Sequence, residues 1–159
     1  MSIFSEASNT QTFKPEPQSR GFYLDGEQRF TGDYNGKVTI TKKEEIMNGP
    51  AKGSIILHMT SPVLKEKDME IRDIFPRRKD DTPFETWAMT QINRVTGAMK
   101  SAGMEVPASV KVQDLDKLLE NLIGKEVVVS QWTPKGNQYP RLNYKFQEDT
   151  VADLSNLPM

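Results

Sequence analysis

DLDKLLENLIGKEVVVSQWTPKGNQYPRLNYKFQ, residues 114–147, holds a helix, a stop and a strand pair in one run. Asp114 stands as an N-cap, Leu118, Leu119 and Leu122 recur at helical spacing, and Gly124 closes the helix. KEVVVSQW at 125–132 then turns β-branched, TPKGN reads as a Pro/Gly hairpin loop, and QYPRLNYKFQ at 138–147 alternates. Alternation puts Leu142, Tyr144 and Phe146 on one face, and Tyr139, Arg141, Asn143 and Lys145 on the other. A sheet that resumes after a helix sorts everything upstream of it.

The upstream residues supply the other half of that sheet. Thr82 and Pro83 start a longer helix, as N-cap and first helical residue, and Phe84, Trp87, Ile92, Val95 and Met99 follow near the helical period up to Gly103. Before it come three strands: GKVTITKKEEI from Gly36, SIILHMTSPV from Ser54 and KDMEIRDIFP at 67–76. NGPAKG at 48–53 turns the first into the second, and Pro62 marks an end or an edge. In the third, Met69, Ile71 and Phe75 face one way and Glu70, Arg72 and Ile74 the other. Residues 20–34 read as a short hairpin or an aromatic-rich loop. The order predicts a mainly β chain: a five-stranded, OB-fold-like β-barrel with a helical insertion of two helices between strands 3 and 4. Residues 1–20, rich in Ser, Thr, Asn, Gln and Pro, read as a flexible polar arm. Residues 21–147 form a single OB-like domain, and 148–159 an acidic-to-apolar tail.

Composition narrows the chemistry. With 159 residues, 36% of them apolar, the chain suits one domain with little core to spare. No apolar run is long enough to span a bilayer, and MSIFSEASNTQTF lacks the order of a signal peptide, so a cytoplasmic protein without membrane contact is expected. Cysteine is absent, which removes disulfides, thiol nucleophiles and thiolate metal sites. His58 is the single histidine and reads as a satisfied or rim residue of the second strand. Glu44 and Glu45, adjacent on a strand, point to opposite faces, and Asp80 and Asp81 suit the positive end of the helix that follows. No nucleotide-binding glycine loop and no hydrolase motif occurs. The expectation is no enzyme, no cofactor and no metal.

The net charge of −1 hides a gradient. Residues 1–34 hold three Lys/Arg against five Asp/Glu, 35–147 hold eighteen against fourteen, and 148–159 hold none against three. The body is mildly basic, a weak pointer to a polyanion. The last hairpin is a stronger one. Trp132, Tyr139, Arg141 and Lys135 bring rings on which unstacked bases can lie together with cations that track phosphates. The plain alternative is a cross-strand aromatic pair that stabilises a hairpin. Arg72, Arg77 and Arg78 form a second basic group at the third strand, with Phe75 as a further ring and Lys37 as an extension on the first strand.

TGDYNGKVTITKKEE, the helix ending GMEVP, then DLDKLLENLIGKEVVV and the hairpin with NQYPRL resemble a family of small phage-encoded proteins. Its members occur among replication and recombination genes and are taken to be single-stranded DNA-binding proteins of OB type. The resemblance covers about residues 31–147 and implies a sequence-tolerant single-stranded DNA-binding protein in the cytoplasm of an infected bacterium. RNA is not separated from DNA at this level. A homo-oligomer is left open. Acidic tails that close on apolar residues recruit replication and recombination proteins in bacterial single-strand binders, so Leu157 and Met159 are the residues for such a partner. The rival reading is a protein-binding module that inhibits a host enzyme or defence protein, because Trp, Tyr and Arg also dominate interface hot spots.

Overall fold

The computed structural model describes Phe4, residues 11–22 and residues 29–146. In chain order these form β1 (Thr12–Phe13), β2 (Tyr34–Glu45), β3 (Ile55–Thr60), α1 (Pro62–Glu66), β4 (Ile71–Phe75), α2 (Phe84–Ser101), β5 (Val110–Lys111), α3 (Leu115–Leu122), β6 (Glu126–Trp132) and β7 (Arg141–Lys145). Five strands make one curled antiparallel sheet, a half-barrel, in the order β4-β3-β2-β6-β7. β1 and β5 pair separately as a small ribbon.

β2 is the spine of the half-barrel. Its first half pairs with β6, from Tyr34↔Gln131 to Thr39↔Glu126, and its second half with β3, from Thr39↔Thr60 to Glu45↔Ile55. A register shift between Ile40 and Lys42 sits near the hand-over, and a bulge of this kind bends a strand and sharpens its twist. Period-two alternation then divides the faces. Val38, Leu57, Ile71, Val127 and Leu142 are buried in the core, while Lys37, Arg141 and Lys145 face solvent. Lys43, at the far end of β2, is held by α3 through Glu120 at 3.0 Å and Asp116 at 3.8 Å.

α2 is enclosed: every residue from Gln91 to Met99 is buried. Ile92, Val95 and Met99 join the core of the sheet. The polar residues among them receive the N-terminal segment. Asn93 accepts the backbone N–H of Glu16 on Oδ1 at 2.8 Å and that of Gln18 on its carbonyl at 2.9 Å. Gly97 makes the passage possible, because a Cβ there would lie 1.7 Å from the Gln18 carbonyl oxygen. The chain then enters the gap between the two edge strands. Tyr144 donates its N–H to Ser19 and Gly21 donates to Leu142 on β7, while Ile74 on β4 donates to Phe22. Of the flexible polar arm expected over residues 1–20, residues 1–3 and 5–10 lie outside the described residues, while 11–20 are a structural part of the domain. Their backbone donors and acceptors fill the unpaired edges that an open half-barrel would expose.

Two smaller expectations change as well. Pro62 begins a short helix rather than ending a strand: Ser61 accepts the Leu64 N–H at 3.3 Å, and proline at the first helical position loses no bond. β4 therefore starts at Ile71, and Met69, read as inward-facing, is 39% exposed in the connection.

Candidate nucleic-acid interface

Trp132 and Arg141 are register partners at the loop end of the β6–β7 hairpin. Both lie on the solvent face, Trp132 with 36% of its surface exposed. The rows below them on the same face are Asn35, Ser130 and Asn143, then Lys37, Val128 and Lys145. Arg20 joins the first of these by a bridge to Asn143. The face has rings and cations at one end, small polar groups in the middle and lysines at the other. Carboxylates flank it at both ends: Asp33 lies beside Trp132, and Glu126 meets Lys37 at 3.6 Å a row beyond Lys145.

A cleft of about 660 Å³ opens beside Trp132, where β7 approaches the end of β4 across the inserted N-terminal segment. Phe22, Ile74 and Pro76 line it together with Trp132 and Pro140, and its charged residues are Arg20, Lys79 and Arg141. Among the described residues, no acidic one lines it. None of the three cations is ion-paired among the described residues. On the other flank of Trp132 a smaller cleft, about 370 Å³, contains Asp33, Tyr34 and Asn35. An anionic ligand is therefore favoured on the side of the seam.

The seam is rigid because of what lies beneath it. Asp73, with no exposed surface, accepts from the Arg94 guanidinium, from the Phe22 N–H at 2.8 Å and from the Tyr144 hydroxyl at 2.6 Å. Arg94, 1% exposed, also donates to the carbonyls of Ile74 and Arg20, and its guanidinium carbon lies 3.9 Å from the Phe22 ring centre and 4.4 Å from that of Phe75. Burial and the neighbouring Asp73 charge push the Tyr144 hydroxyl well above its usual range, which keeps it a neutral donor.

The sequence-predicted residues divide accordingly. Trp132 and Arg141 come together at the cleft. Tyr139, 50% exposed, and Lys135 lie in the loop between β6 and β7 that leads into it. Lys37 lies on the same face two rows away from Arg141. Phe75 does not belong: it points into the core with no exposed surface, so no base can stack on it. Arg72 stands elsewhere on β4, its Nε 2.6 Å from Glu70. Arg77 and Arg78 are exposed in the loop after β4, where they donate to the carbonyls of Lys52 and Thr82. Neither lines the cleft; their neighbour Lys79 does. Leu157 and Met159 lie outside the described residues. Phe22 and Arg20 were missed because they adjoin a segment read as mobile. The signal for them was RGF, a cation and a ring around a glycine whose Cβ would come 2.8 Å from Leu142.

His58 has a structural place. Its Nδ1 is 2.6 Å from Glu70 and its Nε2 is 2.7 Å from Glu44, so it ties β2, β3 and the approach to β4. Burial alone would raise the Glu70 pKa, but hydrogen bonds from His58 and Arg72 outweigh it and hold the carboxyl below its ordinary value. The two glutamates lie on different edges of the ring and do not converge, and among the described residues no group of His, Asp and Glu could hold a metal ion. No helix among them is long and apolar enough to cross a membrane. No protein family, curated protein or solved structure matches this chain.

Proposed function

We propose that this protein binds single-stranded DNA without strong sequence preference, as a non-enzymatic factor of phage or prophage replication or recombination. The observation that carries this reading is the cleft beside Trp132, lined by two aromatic rings and three cations and, among the described residues, by no acid and by no ion-pair partner of those cations. Single strands present flat bases and a phosphate for each, and stacking on a ring contributes about 1–3 kcal/mol per base. The fold reading supports it. Strand order β4-β3-β2-β6-β7, antiparallel throughout and curled, has the connectivity of an OB-like barrel, a scaffold that commonly takes oligonucleotides near the loop between its last two strands. The placement among phage genes rests on the family resemblance alone.

The test is a fluorescence titration with a dT oligonucleotide and with duplex DNA, at low and moderate salt. Trp87 is 8% exposed and bonded to the Pro76 carbonyl, so quenching reports chiefly on Trp132. Quenching by the single strand that weakens with salt is expected. A flat titration with folded protein would sink the reading and direct attention to a protein partner on the exposed Trp132 and Tyr139.

A further inference from the structure

We infer that Phe22, carried by the N-terminal segment, is the floor on which the cleft seats an unstacked base; this rests on the single-stranded DNA reading above. A base platform must be flat, reachable and held in place. Phe22 is partly exposed and lines the cleft, and the buried Arg94 guanidinium sits 3.9 Å from its ring centre. Its backbone N–H is fixed by Asp73 and its carbonyl by Ile74. Ring and chain are both immobilised before any ligand arrives, which reduces the ordering cost of binding. The exposed Arg20 reaches the same ring more loosely, with its guanidinium carbon 5.2 Å from the centre.

A base entering over Phe22 competes with Arg20 for that ring and releases the guanidinium toward the adjoining phosphates. Arg141 and Lys79 stand on the other walls of the cleft to take the same backbone. The volume of about 660 Å³ lies in the range of sites that enclose a small ligand, enough for a nucleotide unit rather than a duplex. Trp132, on the rim, then stacks a neighbouring base. The N-terminal segment is in this arrangement both the closure of the half-barrel and one wall of its binding site.

Photo-crosslinking of the full chain to a dT dodecamer carrying 5-iododeoxyuridine tests this directly, with the affinity of the wild type and of Phe22→Leu measured in parallel. Leucine keeps apolar contact above Arg94 and removes the aromatic face. The expected result is an adduct on Phe22, in the tryptic peptide that begins at Gly21, and an affinity lowered about five- to hundredfold in the variant. Adducts confined to Trp132 or Tyr139, with Phe22→Leu binding as the wild type does, would overturn the assignment and leave the single-strand reading intact. A wild type that does not bind the dodecamer overturns both. Should Phe22→Leu fail to fold, the position of the wild-type adduct decides.

Discussion

Asp73 is a carboxylate with no exposed surface, an expensive group unless its charge is fully answered. Three donors from three different parts of the chain answer it: Arg94 on α2, Tyr144 on β7 and the Phe22 backbone. Removing one partner of a buried pair strands the other, so Arg94→Ala is expected to lower unfolding free energy by about 3–5 kcal/mol in urea titrations. The neutral Tyr144 hydroxyl gives a pH signature. Its folded pKa lies above the unfolded value, so its contribution is complete below about pH 10, the ordinary tyrosine range, and is lost as pH rises beyond it. Wild type should therefore lose stability above pH 10 more steeply than Tyr144→Phe, as followed by circular dichroism. Glu70 has the opposite sign. Its folded pKa is depressed, so its contribution is present above the ordinary glutamate value of 4.5 and disappears as pH falls through the lower folded value. His58 was legible as a satisfied residue of its strand, but its partners and those of Asp73 were not, because they lie in other strands and helices.

At the level of elements, β2, β4, β6, β7 and α3 were legible because burial on one side leaves a period, β3 was legible as a short apolar run, and β1, α1 and β5 were not legible. The β7 run shows that period: Leu142 and Tyr144 are buried while Arg141 and Lys145 are exposed. The N-terminal segment carries the period in its burial, but after Phe13 its inward positions are Pro15, Pro17 and Ser19 rather than apolar strand formers. Lys14, Glu16 and Gln18 are exposed while Pro15 and Pro17 are half-buried, and its hold on the domain comes from backbone bonds that any residue but proline can donate. A polar, proline-rich composition therefore concealed a packed element. Gly97→Ala is the sharpest test of it. The added methyl would collide with the Gln18 backbone, so the segment should lift from α2, and amide exchange in residues 16–22 should accelerate while that of β2 and β3 changes little. An unaltered exchange pattern would mean that the segment can shift past α2 without loss.

For the whole molecule, charge placement matters more than charge total. A net charge of −1 would predict indifference to nucleic acid, yet the seam gathers Arg20, Lys79 and Arg141 with no acid among its described lining residues. Affinity for a single strand should then fall with salt in a log–log plot, by about 0.7 in slope for each phosphate neutralised. Arg141→Gln should flatten that slope by about one such step, whereas Arg72→Gln, away from the cleft, should leave it unchanged. Equal slopes for both variants would show that the cations act through the general field of the body rather than at the seam.

The order of the five strands of the sheet, the alternation within β7, and the aromatic and basic character of the last hairpin were determined by the sequence alone. Each rests on local chemistry: side-chain period, turn residues and caps. The closure of the half-barrel was decided by tertiary structure, as were the exclusion of Phe75 from any binding face and the meeting of Arg20, Phe22 and Lys79 beside Trp132. These depend on which distant segments share a seam. A chain position far from the hairpin in sequence carries no local mark of becoming its wall, because what holds it there is the pairing of two sheet edges and the backbone donor it supplies to one buried carboxylate.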